Sequence, residues 1–194
     1  RAVVSFGQGC EGEPLTVAPT LVEAVRLIRR RTDAGTINLN TNGSLPKAVA
    51  RLCDAGLDAI RLSVNSFREP AYRAYYRPRG YRFADVLESG RVVAESGGWV
   101  SVNLLVFPGV SDAGEDVAAS LDGLRACRAD FVQMRNLNID PEVYRDAVGL
   151  PGGTPEGLVR VMERIQASIP TIRFGYFNPP VRSLVRQRRR SARP

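Results

Sequence analysis

Short apolar runs alternate along the chain with longer stretches in which apolar residues recur at three- and four-residue steps, and a turn signal stands near each junction. The runs Val3–Phe6, Thr36–Asn40, Ala59–Val64, Trp99–Val106, Phe131–Asn136 and Thr171–Tyr176 read as strands. Helical spacing occupies Thr20–Arg31, Leu45–Ala55, Phe83–Ser96, Gly114–Arg128 and Pro155–Ser168, as in the step Leu21, Ala24, Val25, Ile28. Thr20 with Glu23 makes a capping-box start for the first of these, and Gly56 is placed to stop the second. Strand and helix repeating in this order predict an α/β fold built from βα units around a parallel sheet.

Composition narrows the function classes. The chain has 194 residues, 44% of them hydrophobic, enough for one domain with a core. No apolar run approaches the roughly 20 residues of a membrane helix, and no basic-then-apolar leader opens the sequence; the expectation is a cytoplasmic protein that does not engage membranes. The sequence starts at Arg1 rather than Met and enters a strand pattern at once, which reads as a fragment of a longer protein. Net charge is +7, yet Lys47 is the one lysine among 27 basic residues, so the basicity is almost wholly arginine and is discounted as a nucleic-acid signal. There is no histidine, and Cys10, Cys53 and Cys127 stand far apart. A disulfide framework, a self-contained zinc site and a histidine-based hydrolytic triad are therefore excluded within this segment. The closing run "VRQRRRSARP" follows Pro179-Pro180 and differs in kind. It divides the chain into a core over residues 1–178 and a basic, solvated and disordered tail over 179–194.

In parallel β/α architectures ligands gather at the carboxyl ends of the strands. The predicted strands deliver "GQGCEGEP", "NTNG", "SVNS", "NLLVFPGVSD" and "RNLNID" to that edge, a set rich in Asn, Ser, Gly and carboxylates. Such a rim suits hydrogen bonding to a zwitterionic, hydroxyl-bearing ligand. Backbone amides at Gly7, Gly9 and Gly12 allow close approach, and Glu13 can accept bonds from an amine. Ser63 and Asn65 alternate along a strand end, which puts both on one side and within reach of ribose hydroxyls. Arg135 or Asn138 would line the substrate side. Cys10 reads as a small thiol in a tight loop and Glu11 as solvent-facing.

The order strand, "GEP", helix, strand, "TNG", helix, strand ending "LSVNS", helix, strand ending "NLLVFPGVSD" resembles the radical S-adenosylmethionine superfamily over about residues 2–140. The resemblance implies a partial, parallel (β/α) TIM-like barrel. The family's Gly-Gly-Glu-Pro motif, which holds the amino group of the methionine moiety, corresponds to Glu11, Gly12, Glu13 and Pro14, with Glu11 in place of the first glycine. Its Thr-Asn-Gly corresponds to Thr41, Asn42 and Gly43. Ser63 and Asn65 fall where the family contacts ribose and carboxylate, and Asn103 with Val106–Gly109 near the adenine. The implied cofactors are S-adenosylmethionine and a 4Fe-4S cluster; the CxxxCxxC loop that ligates such a cluster is absent, so its ligands are expected upstream of residue 1. The implied activity is reductive cleavage of S-adenosylmethionine to a 5′-deoxyadenosyl radical that abstracts hydrogen from an unidentified small-molecule, peptide or RNA substrate. An electron donor such as flavodoxin or ferredoxin would supply the electron. On that reading the full-length parent is the enzyme and this segment alone is inactive.

Two other readings stay open. An aldolase-type parallel barrel would need a catalytic lysine at a strand end, and Lys47 falls in a helical pattern. A degenerate barrel could instead bind RNA or a protein partner through its arginine-rich tail. The stretch Glu69–Phe83, in which four tyrosines interleave with four arginines, reads as a loop and helix start packed over the barrel.

Overall fold

The computed structural model of the protein describes residues 2–8 and 12–191. Six strands, β1 (Val3–Phe6), β2 (Thr36–Thr41), β3 (Ala59–Val64), β4 (Trp99–Val106), β5 (Phe131–Asn136) and β6 (Arg173–Phe174), form one sheet in sequential order. Every neighbouring pair is parallel. The helices joining them are α1 (Ala18–Arg31), α2 (Pro46–Ala55), α3 (Glu69–Tyr76), α4 (Phe83–Glu95), α5 (Gly114–Ala126), α6 (Pro141–Val148) and α7 (Leu158–Ser168). A last helix, α8 (Arg182–Ser191), follows β6.

The register divides the sheet into two chemically distinct faces. Ile37 and Leu39 of β2, Ile60, Leu62 and Val64 of β3, Val100, Val102 and Leu104 of β4 and Val132 of β5 point to the helices and make the main core with Val25, Val49, Leu52, Val86, Val93 and Leu124. The alternate residues form the inner face of the partial barrel. They are Ser5, Asn38, Asn40, Arg61, Ser63, Ser101, Asn103, Gln133 and Arg135, brought side by side because Asn40 pairs with Arg61, Arg61 with Ser101, and Asn103 with Gln133. All six residues of β2 are buried, as expected of an interior parallel strand covered on both faces.

The tail does not follow the sequence reading. Residues 182–191 are a helix whose Val181 and Val185 pack on Ala59, Trp99 and Phe131, the inward residues at the amino ends of β3, β4 and β5. Thus α8 plugs the bottom of the barrel. Three of its arginines anchor it: Arg182 donates to Asp58 (2.5 Å) and pairs with Asp33. Arg188 donates to Asp130 (2.6 and 3.1 Å), and Arg189 to the carbonyls of Leu57 (2.6 Å) and Ser96 (3.0 Å). The run looked like a solvated tail because arginine dominates it. Its two valines at a four-residue step are the only local sign of a packing face.

Smaller differences have local causes. The first helix does not begin at a Thr20–Glu23 capping box. A 3-10 turn over Pro14–Val17 runs directly into α1, and Glu13 caps that turn through the Leu15 amide (3.0 Å), so the cap stands seven residues before Thr20. Gly56 ends α2 in the left-handed region as expected, at φ 112°. The Glu69–Phe83 stretch contains a full helix, α3, with Tyr72 completely buried. The sixth strand shrinks to two residues.

Candidate functional site

The carboxyl ends of β1 and β2 meet through Glu13. One carboxylate oxygen accepts the Leu15 amide (3.0 Å) and the Thr41 hydroxyl, and the other accepts the Asn42 amide at 2.7 Å. The Thr41 hydroxyl in turn accepts the Gly43 amide (3.1 Å), and Asn42 Oδ1 accepts the Ser44 amide (2.9 Å), an Asx turn that shapes the loop. Gly43 sits at φ 72°, and a Cβ there would come within 2.7 Å of Leu62. Glu13 is therefore a clasp between two strand ends. A carboxylate has about four lone-pair directions, so three bonds leave it room for one further donor. Gly12 is exposed at φ 82°, with nothing within 4 Å of where a side chain would begin. Pro14 begins the 3-10 turn. Cys10, Glu11 and Gly9 lie outside the described residues.

A second cluster forms one strand further on. Ser63, Asn65 and Asn103 line a cavity of about 230 Å³ with Tyr75 and Tyr76 of α3, Leu105, Arg135, Asn136 and Asn138. Asn65 is buried, and its amide nitrogen donates to the Ala71 carbonyl (3.1 Å) and the Tyr144 hydroxyl (3.2 Å), tying β3 to α3 and α6. That leaves its Oδ1 without a partner; Asn103 Oδ1 and Ser101 Oγ on β4 are likewise shielded and unpartnered. Burial, helped by the neighbouring tyrosine charges and by Glu13, pushes the Tyr76 phenol upward, so Tyr76 stays neutral and electrostatically in range of the Glu13 clasp. The two clusters stand at the same carboxyl edge of the sheet, one at β1 and β2 and the other at β3 to β5.

The seven expected cofactor contacts fall into these two groups: Gly12, Glu13, Pro14 and Asn42 in one, Ser63, Asn65 and Asn103 in the other. Sequence reasoning missed Arg61, Tyr75, Tyr76 and Tyr144. The inward parity of Arg61 with Ser63 was readable, whereas Tyr75 and Tyr76 reach the cavity, and Tyr144 reaches Asn65, only because α3 and α6 fold back toward the rim.

Residues 3–121 match the family model described as the Radical SAM superfamily, more than half of the chain. The chain belongs to that superfamily. It is 30% identical over 159 residues to the FeMo cofactor biosynthesis protein NifB of Klebsiella pneumoniae, a match that covers 75% of this chain and 33% of that protein. The chain thus spans about a third of the length of this curated relative. Two solved structures share the radical SAM fold: a domain of pyruvate-formate lyase-activating enzyme from Bacteroides vulgatus, with TM-score 0.61, 12% identity, and coverage of 92% of this chain and 100% of that one; and methylornithine synthase (PylB), with TM-score 0.59, 15% identity, and coverage of 89% and 48%.

Radical SAM proteins use S-adenosylmethionine and a 4Fe-4S cluster, and take a substrate and a reductant. The described residues fit the first of these cofactors. Unpartnered oxygens on Asn65, Ser101 and Asn103 call for hydroxyl or ammonium donors, and the open backbone at Gly12 admits a ligand closely. They do not supply the cluster's ligands. No group of three or more Cys, His, Asp or Glu is placed to hold a metal among the described residues, and Cys53 and Cys127 are buried among the helices. No helix among the described residues is long and apolar enough to cross a membrane.

Proposed function

We propose that this chain forms the S-adenosylmethionine-binding part of a radical SAM enzyme that abstracts hydrogen from an organic substrate. The observation that carries the reading is the set of shielded, unpartnered oxygens on Asn65, Ser101 and Asn103 facing the inner side of a barrel of this family. When bound and reduced by one electron through the family's cluster, S-adenosylmethionine supplies a 5′-deoxyadenosyl radical. The protein's share is positional. Gly12 leaves room for the methionine end, and Glu13 offers its remaining lone pair to the ammonium while holding the loop of Asn42 in place. Ser63, Asn65 and Asn103 present hydroxyl and amide groups to the nucleoside. Tyr75 and Tyr76 wall the cavity and exclude water, which protects a reactive species from quenching. The substrate is a small molecule, peptide or RNA, and the electron donor a flavodoxin or ferredoxin.

Titration calorimetry with S-adenosylmethionine tests this directly. Saturable binding is expected, weakened about three- to tenfold by Ser63→Ala or Asn103→Ala, the range for one neutral hydrogen bond each. No saturable binding, or affinities unmoved in both variants, would refute the assignment. The binding-module reading is not better supported, because Arg182, Arg188 and Arg189 of the tail are engaged within the fold.

A further inference from the structure

Two guanidinium groups share the inner face of the barrel, and no carboxylate among the described residues pairs with either. Arg61 of β3 and Arg135 of β5 both project from that face, where the other inward residues of β3 to β5 are Ser, Asn, Gln, Leu105 and, at the bottom, Ala59, Trp99 and Phe131. None of the ion pairs among the described residues includes either one. Arg61 donates to Gln133 Oε1 at 3.1 Å, a neutral acceptor, while its Nε is shielded from solvent with no partner. Arg135 lines the cavity and lies over the Tyr176 ring at 5.2 Å. Burial and then the charge of Arg135 pull the Arg61 pKa down, so the two cations repel each other across the inner face. Elsewhere the fold pairs its buried arginines with care: Arg29 and Arg182 share Asp58, and Arg68 meets Asp116. A half-buried guanidinium such as Arg61, its Nε shielded and unpartnered, is costly unless an anion neutralises it.

We propose that Arg135, with Arg61 behind it on the inner face, binds an oxyanion of the substrate, a carboxylate or a phosphate, whose apolar body packs on Tyr75, Tyr76 and Leu105 of the cavity that Arg135 lines. The proposal rests on the reading above in placing this substrate beside the cofactor. A guanidinium fork matches the two oxygens of such an anion. The cavity has two sides, Ser63, Asn65 and Asn103 toward the cofactor and Leu105, Arg135 and Asn138 toward the substrate. The low-dielectric walls strengthen the attraction by excluding competing water.

The test is a ligand-observed NMR titration of the chain with benzoate, phenyl phosphate and the neutral isostere benzamide, each without and with S-adenosylmethionine. At least one anion is expected to bind tenfold or more tightly than benzamide, and the better of the two identifies the oxyanion. Arg61→Gln and Arg135→Gln should each cost about tenfold in anion affinity, the scale of a charge-assisted bond, with affinity for S-adenosylmethionine kept within twofold. Arg135→Lys should retain part of the anion binding. Arg135 is exposed, so its variants decide the matter even if Arg61→Gln does not fold. Equal binding of anions and benzamide, or anion affinity unmoved in Arg135→Gln, overturns the proposal. It is also overturned if the variants lose S-adenosylmethionine while keeping methylthioadenosine, which lacks the amino-acid end, since the arginines would then hold the cofactor's own carboxylate. Failure of the wild type to bind S-adenosylmethionine would strike only the preceding section, because the anion titration without cofactor reads the arginine pair by itself.

Discussion

Glu13→Gln is the sharpest probe of how the rim is built, because it preserves shape and removes only acceptor capacity. The carboxylate takes the Leu15 amide and Thr41 hydroxyl on one oxygen and the Asn42 amide on the other. With the glutamine amide nitrogen in the second place, an N–H faces the Asn42 N–H, two donors at 2.7 Å, and the Asn42 loop must let go. Flipping the amide only moves the conflict to the Leu15 N–H, since the Thr41 hydroxyl can turn and accept. An unsatisfied, partly buried donor costs about 1–3 kcal/mol. At about 2.1 cal/mol/K per residue, a chain of this size loses about 2.5 °C in Tm per kcal/mol, so a drop of about 2–7 °C is expected. Urea denaturation followed by circular dichroism gives the free energy, and calorimetry with S-adenosylmethionine on the same preparation gives affinity. Both should fall, binding by more than stability alone explains, since the loop that carries Asn42 is displaced and the lone pair left for an ammonium weakens. A Gln variant as stable as wild type would refute the clasp. One that is destabilised but binds unchanged would leave Glu13 a structural residue only.

Asp58→Ala should be the most damaging single change at the barrel bottom. The fully buried carboxylate accepts Arg29, Arg182 (2.5 Å) and the Ile37 amide (2.9 Å), and its removal leaves two desolvated cations facing each other, costing about 3–5 kcal/mol. Fluorescence of Trp99, the single tryptophan, reports release of α8 because Arg188 lies 5.3 Å over its ring; a loss under 1 kcal/mol would refute the role of the clamp. Burial raises the Asp116 pKa, against the hydrogen bonds from Ser66 (2.5 Å) and Arg68 (3.2 Å). The folded state then binds this proton more tightly than the unfolded chain, so its contribution to stability falls as pH rises above about 3.9. Asp116→Asn keeps both bonds to its oxygen and should remove that slope in a pH series of unfolding curves; an unchanged slope would count against the shift. Burial pushes the Cys127 thiol up to about 12, so mass-spectrometric mapping at pH 8 should find it unlabelled by iodoacetamide until urea unfolds the chain, and labelling in the native state would contradict its burial.

What the sequence determined by itself is the order of strands and helices and the two-faced sheet. Both are written in local periodicity: Ile37 and Leu39 against Asn38 and Asn40, or Leu62 and Val64 against Arg61 and Ser63, alternate because successive side chains must point to opposite faces. The rim residues followed, since parallel strands deliver their last residues to one edge. Tertiary structure alone decided who meets whom across that frame. Glu13 clasps a loop 28 and 29 residues away, and Arg182 reaches Asp58 across 124 residues, so the arginine run that looked like a solvated tail became the helix that closes the barrel. The same holds for Arg61, whose inward side was readable but whose lack of any carboxylate partner emerges only when five strands are set in register. Local pattern reports which side of an element is buried; the identity of a long-range partner depends on register and on which end of the sheet a distant segment covers.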